Sequence, residues 1–283
     1  MRKSFKIIAA DIGGTNSRFS LVDNRYELLR SAFKRTTLFN KEQFVDSIVD
    51  SIAELKDDLK DVGAIVLGIP GPIAEGGYVI DLPNIHIKDI PLGDILRQRF
   101  GLPVFIRNDA EMACFAEAAL GNGKDYHRVF FITISTGLGG ALVVDMGLEE
   151  TPIEIGHTPY VYKGEVTYYE YLASGTGIIN LSRINGLDVD SANDFFQFVK
   201  IKDPAAMMVY GEWLKVLGDF LAHIEANYHP DIIVVTGGVF NAKSVFWDDL
   251  CARNPHSNLK ECHFDQKAGL IGAACYAFQQ LNN

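Results

Sequence analysis

The sequence predicts an α/β protein built as two similar lobes facing a cleft, and three observations predict it. An apolar run, a turn of glycine and hydroxyl residues, and a second apolar run closing on Val-Asp occur twice, over residues 7–23 and 130–145. Each reads as a β-hairpin with a Gly-rich tip. Strand, glycine and helix signals alternate after each hairpin, the signature of layered sheets and helices. The order of signals in the first half recurs in the second, so the halves read as duplicated lobes.

The first hairpin joins Ile7-Ile8-Ala9-Ala10 to Phe19-Ser20-Leu21-Val22 through Asp11-Ile12-Gly13-Gly14-Thr15. A strand-like stretch over 27–36 follows, then a helix over about 40–60. There Phe44, Val45, Ile48, Ile52, Leu55 and Leu59 recur at helical spacing and Asn40 is placed as its cap. Ala64-Ile65-Val66-Leu67 is a short buried strand, and Gly68-Ile69-Pro70-Gly71-Pro72 cannot continue it as strand or helix. A loop to Pro91, a short helix with Leu92, Ile95, Leu96 and Phe100, and a strand Val104-Phe105-Ile106 lead to Asn108-Asp109. There the chain passes into a helix running to about Leu120.

Polar, glycine-rich Gly121-Asn122-Gly123-Lys124-Asp125 is the linker candidate. The second hairpin turns on Ser135-Thr136-Gly137-Leu138-Gly139-Gly140, and the chain beyond it is least regular until a long helix over 204–228. Met208, Trp213, Leu217, Phe220, Leu221 and Ile224 form the expected core face of that helix. Ile232-Ile233-Val234-Val235 is a strand ending in Thr236-Gly237-Gly238, and 268–280 reads as a helix with small residues on one face. The lobes are therefore expected at 1–120, completed by the last helix 268–283, and at 121–267.

A chain of 283 residues is long enough for two such cores. Its formal net charge of -10 disfavours nucleic acid or an anionic membrane as partner, since both are bound mainly through Lys and Arg. A nucleotide is still compatible, because backbone amides and a divalent cation can meet its phosphates. The apolar stretch over 5–10 is broken by Lys6 and is too short for a signal peptide, and no stretch approaches a membrane span, so a cytoplasmic protein is expected. Cys114, Cys251, Cys262 and Cys275 show no CxxC spacing, which fits reduced thiols.

The glycine turns carry the first chemical signal. Residues without a Cβ let backbone N–H groups approach an anion, and Ser or Thr hydroxyls add donors without bulk. No GxxxxGK[ST] occurs, which removes the P-loop reading. Asp11-Ile12-Gly13-Gly14-Thr15, Gly68-Ile69-Pro70-Gly71-Pro72, Asn108-Asp109, Ser135-Thr136-Gly137-Leu138-Gly139-Gly140, Glu154-Ile155-Gly156-His157 and Thr236-Gly237-Gly238, in this order along nearly the whole chain, resemble the bacterial glucokinase and ROK sugar-kinase group of the actin-like ATPase superfamily.

That resemblance implies a two-lobed actin-like ATPase (ribonuclease H-like) fold in which ATP, with Mg2+, and a hexose meet in the cleft and the γ-phosphoryl group passes to a sugar hydroxyl. Asp109 would be the general base, although Asp at that position also suits a helix cap. Asp11 would stand near the Mg2+, through water. Gly13, Gly14 and Thr15 would contact phosphate from one lobe and Thr136 and Gly137 from the other, with Gly237 and Gly238 leaving room for adenosine. Asn84, Asn108, Asp109, Glu154, His157 and Glu170 fit the sugar-binding positions, where carboxylates and amides together serve hydroxyls that both donate and accept.

One segment departs from the family. Many members follow Glu-Ile-Gly-His with a C-x-C-G-x-x-G-C-x-E zinc segment, whereas Val161, Lys163 and Tyr168 stand here where thiolates would be. No structural zinc is expected, and Tyr160, Tyr162, Tyr168, Tyr169 and Tyr171 are the material expected to hold the loop instead. The expected activity is ATP-dependent phosphorylation of a hexose, glucose to glucose 6-phosphate. N-acetylglucosamine, N-acetylmannosamine, mannose or fructose are the alternative acceptors, and a non-catalytic sugar sensor is the reading from a different class. The family's DNA-binding repressors carry an added module, and none is expected here because the sequence opens on the first glycine-turn strand. A homodimer is the state the resemblance implies.

Overall fold

The computed structural model describes residues 5–13, 16–36, 40–55, 61–82, 86–148 and 153–282. Strands β1 (Lys6–Ile12), β2 (Asn16–Val22) and β3 (Leu28–Arg35) form an antiparallel meander, followed by α1 (Lys41–Ala53) and β4 (Val62–Ile69). After β5 (Ile73–Ala74), β6 (Tyr78–Leu82), β7 (Ile87–Ile90) and α2 (Leu92–Phe100), the chain enters β8 (Val104–Asn108) and α3 (Asp109–Ala119). The main sheet runs β3-β2-β1-β4-β8, with β4 parallel to β1 and β8 parallel to β4. Its central strands are apolar without alternation because both faces are covered: Ile7, Ile8, Ala9 and Ala10 are all fully buried.

The second sheet repeats this plan. Strands β9 (Arg128–Ile134), β10 (Leu138–Val144) and β11 (Gly147–Leu148) form its meander. The hairpin β12 (Pro159–Tyr162) and β13 (Glu165–Tyr168) and helices α4 (Tyr169–Ala173), α5 (Gly175–Ile184), α6 (Ala192–Lys200) and α7 (Pro204–Tyr228) come next. Strand β14 (Ile232–Thr236), helix α8 (Lys243–Arg253), strand β15 (Leu259–Glu261) and helix α9 (Ala268–Asn282) complete the order. The sheet runs β11-β10-β9-β14-β15, with β14 parallel to both β9 and β15. No described helix is long and apolar enough to cross a membrane.

The chain forms two compact units, Met1–Lys124 with His263–Asn283, and Asp125–Cys262. Residues 121–124 and 263–267, which the sequence reading gives to the second lobe, thus belong to the first. The buried carboxylate of Glu117 in α3 explains the assignment. Its Oε2 accepts from the Asn122 N–H at 3.0 Å and its Oε1 from His263 and Phe264 N–H at 2.8 and 3.1 Å. The small-residue face of α9 is used in the same unit. A Cβ on Gly272 would fall 1.6 Å from the Met112 carbonyl oxygen, so glycine is what lets α9 lie against α3.

Four expectations are corrected. The stretch read as a loop up to Pro91 contains the sheet β5-β6-β7, whose β6 buries Val79 and Leu82, exposes Tyr78 and Ile80 and so lacks a strict alternation, and is preceded by the loop-like Gly76-Gly77. Gly68 and Ile69 continue β4 and the chain breaks only at Pro70. Helix α1, capped by the Asn40 side chain accepting from Gln43 N–H, ends at Ala53 rather than near 60, and Leu59 lies outside the described residues. Met208 is exposed at 53 %, one turn from the start of α7. The core face runs instead through Val209, Tyr210, Trp213, Leu217, Phe220, Leu221 and Ile224. Trp213 anchors it, donating from Nε1 to the Ala173 carbonyl at 3.1 Å and meeting Phe246 edge-on at 5.1 Å.

Candidate active site

Asp11 and Arg18 face each other across β1 and β2, Arg18 Nη1 3.5 Å from Asp11 Oδ2, and Arg18 Nη2 donates to Gln266 Oε1 at 2.8 Å. Burial pushes the Asp11 carboxyl upward, and the Arg18 guanidinium opposes that shift. The packing is close, since a Cβ on Gly269 would lie 2.8 Å from Asp11 Cγ. Gly13 N–H donates to the Asn16 carbonyl at 2.8 Å, and Thr36 Oγ1 donates to the Gly13 carbonyl at 2.6 Å. Gly14 and Thr15 of the expected phosphate set, and Asn84 of the expected sugar set, lie outside the described residues. One carboxylate at a glycine turn fits Mg2+, which keeps several waters and is held by one or two carboxylates plus substrate phosphates. Among the described residues no group of three or more His, Cys, Asp or Glu is arranged to hold a metal by itself.

At the end of β8 the cap of α3 is Asn108, not Asp109. Asn108 Oδ1 accepts from Ala110 N–H at 2.9 Å and Glu111 Oε2 reaches back to Asn108 N–H at 3.2 Å, a capping box. Asp109 is the first helical residue, half-buried, with its own Oδ1 2.9 Å from Ala110 N. Its neighbour therefore carries the structural task that the sequence alone could assign to Asp109. Asn108 Nδ2 also donates to the Gly71 carbonyl at 3.3 Å, so the Gly-Pro segment and the Asn-Asp pair meet at one point.

In the second unit the turn between β9 and β10 is held from several sides. Ser135 N–H donates to the Gly137 carbonyl at 2.9 Å, the Ser135 carbonyl accepts from Gly175 N–H at 2.7 Å, and the Thr136 carbonyl accepts from Thr176 N–H at 3.2 Å. Ser135 Oγ accepts from Gly238 N–H at 3.1 Å. Leu138 N–H donates to Glu170 Oε2 at 2.8 Å. Glu154, His157 and Glu170 come together, His157 Nδ1 3.7 Å from Glu154 Oε2 and His157 Nε2 3.6 Å from Glu170 Oε1. All three side chains are open to solvent, Glu170 least at 36 %. Such a set offers both halves of the hydrogen bonds a sugar hydroxyl makes.

The two glycines after β14 differ. Gly237 has φ +115° and a Cβ there would lie 2.3 Å from the Ile134 carbonyl oxygen, so its own backbone demands glycine; a Cβ on Gly238 would meet nothing within 4 Å. Only Gly238 has the open space expected of a residue that leaves room for a ligand. Ser135, Gly175 and Thr176 were not among the expected site residues. The small-residue run Ser174-Gly175-Thr176-Gly177, with the Ser174 hydroxyl capping α5, was the available signal.

The cysteine-free segment is the hairpin β12–β13. Lys163 and Gly164 both have positive φ, +50° and +85°, which is what a two-residue type I′ turn requires, so Gly164 has a reason independent of metal. Tyr160 and Tyr169 pack with their rings tilted and centroids 4.7 Å apart, and Tyr160 Oη donates to Asp219 Oδ2 at 2.6 Å. Burial, reinforced by that bond, pushes the Tyr160 phenol up to about 12. Tyr162 is buried as expected, but Tyr168 and Tyr171 are 51 % and 48 % exposed. Tyr168 shares the outer face of the hairpin with Val161 and Val166, because side chains alternate along a strand.

The ROK family model matches residues 7–280. The chain is 27 % identical to a glucokinase of Streptomyces coelicolor, over 94 % of this chain and 96 % of that protein. It is 25 % identical to an N-acetylmannosamine kinase of Vibrio cholerae, over 95 % and 98 %. Among solved structures, a ROK family glucokinase from Streptomyces griseus in complex with glucose and AMPPNP superposes with a TM-score of 0.76 at 26 % identity, covering 97 % of this chain and 99 % of that one.

Proposed function

The chain belongs to the ROK family and has the actin-like ATPase fold, and on that premise we propose that it is a sugar kinase that transfers the γ-phosphoryl group of ATP to glucose, forming glucose 6-phosphate. One observation carries the reading. Glu170, from the set suited to hydroxyls, bonds the backbone of the glycine turn suited to phosphate at 2.8 Å, so acceptor-binding and phosphate-binding groups adjoin. The glucose- and AMPPNP-bound relative supports both ligand classes.

In this reading Glu154, His157, Glu170 and Asn108, with Asn84, orient the sugar. Asp109 accepts the proton of the attacking hydroxyl as the new O–P bond forms, and the bond to the bridging oxygen breaks with its electron pair leaving on ADP. Gly13, Gly14, Thr15, Thr136 and Gly137 receive phosphate, and Gly238 admits the adenosine, while Gly237 shapes the turn beside it. Mg2+ held near Asp11 through water would supply neutralisation of phosphate charge. Zinc has no part, since Val161, Lys163 and Tyr168 offer no thiolate.

The V. cholerae relative favours a second acceptor class, the N-acetylhexosamines. The test is ATP-coupled ADP release by purified protein over glucose, mannose, fructose, N-acetylglucosamine and N-acetylmannosamine, with metal analysis of the same preparation. Glucose is expected to give the highest kcat/KM, with no stoichiometric zinc. A larger response to an N-acetylhexosamine would replace the acceptor, and no response to any sugar would remove the kinase reading.

A further inference from the structure

Glu170 is enclosed more tightly than a surface carboxylate that only meets a sugar would require. A Cβ on Gly137 would lie 2.6 Å from Glu170 Oε2, one on Gly156 would lie 3.3 Å from Glu170 Cβ and 2.1 Å from the Leu138 carbonyl oxygen, and one on Gly177 would lie 2.7 Å from the Glu170 carbonyl oxygen. Three glycines from three segments thus admit this residue. Its backbone is fixed in α4, where its carbonyl accepts from Ser174 N–H at 3.3 Å. The carboxylate spans the remaining distance, with Oε2 on the amide directly after Gly137 and Oε1 toward His157.

We propose that Glu170 is a positioning residue that couples sugar binding to nucleotide binding through the Leu138 N–H. The inference rests on the kinase reading above and adds to it a thermodynamic link between the two substrates. A carboxylate has about four lone-pair sites, so Glu170 can hold the amide and accept from a sugar hydroxyl at once. A hydroxyl bound at Oε1 fixes the carboxylate plane, and with it the Leu138 amide and the glycine turn. A phosphate on Thr136 and Gly137 orders the same turn from the other side. The bonds already made leave a glycine-rich turn some residual freedom, and whichever ligand arrives first bears the cost of removing it, so the second binds more tightly. Linkage makes the effect equal in both directions.

The alternative is that Glu170 only props the turn. It would then change nucleotide affinity by the same factor with and without sugar. Calorimetric titration of Mg-ADP, alone and with saturating glucose or whichever sugar gives turnover, separates the two. Wild type is expected to bind ADP about tenfold more tightly with sugar present. Glu170→Ala should bring that ratio to about one. Glu170→Gln keeps an oxygen for the Leu138 amide and should keep part of the ratio. Gly137→Ala pushes on the same oxygen from the turn side and should lower the ratio with every sugar-facing side chain intact, which keeps the test decisive should Glu170→Ala not fold. A wild-type ratio near one, or equal weakening with and without sugar in Glu170→Ala, overturns the coupling and leaves the kinase reading standing. Wild type that binds no ADP in either condition overturns both.

Discussion

The two glycine hairpins begin from one plan and are held in different ways. In both units a three-strand antiparallel meander is extended by two parallel strands in the same order, and the glycine turn joins the first two strands of the meander. The described bonds of the first turn are local, from Asn16 in the hairpin itself and Thr36 just beyond the third strand. The second turn is bonded to segments far along the chain, at Glu170, Gly175, Thr176 and Gly238. The two units thus share a strand order, while among the described residues it is the second glycine turn that is bonded to segments remote in the chain.

This division can be broken by experiment, and the largest effect should come from the first unit. Asp109→Asn is expected to lower kcat by about 100- to 10,000-fold, the usual contribution of general acid–base catalysis. It should leave the ratio of ADP affinities with and without sugar unchanged. Near-normal turnover would remove Asp109 as the base, and a collapsed ratio would show that the coupling is not confined to the second unit.

The next effect concerns tolerance of the turns. Gly237→Ala places a Cβ against backbone at a φ of +115°, and is expected to destabilise by about 3 kcal/mol. Gly13→Ala meets, among the described residues, only the Asn16 carbonyl oxygen at 3.0 Å and should cost about 1 kcal/mol in denaturant unfolding. Equal costs would mean that the Gly237 backbone is not held in the left-handed region against Ile134.

The smallest effect is a titration in the second unit. The Tyr160 phenol is raised to about 12 by burial and by Asp219, so its favourable contribution is full below pH 10, the usual tyrosine value, and fades as pH rises through about 12. The ultraviolet difference between wild type and Tyr160→Phe should show no phenolate from this residue at pH 10.5. Ionisation near pH 10 would mean the hairpin is looser than its packed Tyr160 and Tyr169 indicate.

Much of this was legible because the signals are short-range. Apolar runs closed by Gly-Gly gave both hairpins, helical spacing gave α1 and α7, and Asn40 gave its cap. The β5-β6-β7 sheet was missed because its strands are short and its glycines resemble a loop. Met208 was misplaced because one turn at a helix end can point outward without breaking the periodicity. The motifs singled out Asn108-Asp109 in the first unit and Glu154, His157 and Glu170 in the second, but not which of Asn108 and Asp109 caps α3, nor that Ser135 receives Gly238.

By itself the sequence determined the two glycine hairpins, the helices α1 and α7, the α/β class with its repeated plan, the family and the absence of thiolates in the segment after His157. Each follows from residue type and local spacing. The tertiary structure alone decided that Gly237 is required by Ile134 while Gly238 faces open space, and that Glu170 reaches the amide after Gly137 across 32 positions. Those facts depend on distances between segments remote in the chain, which close packing fixes and no local pattern records.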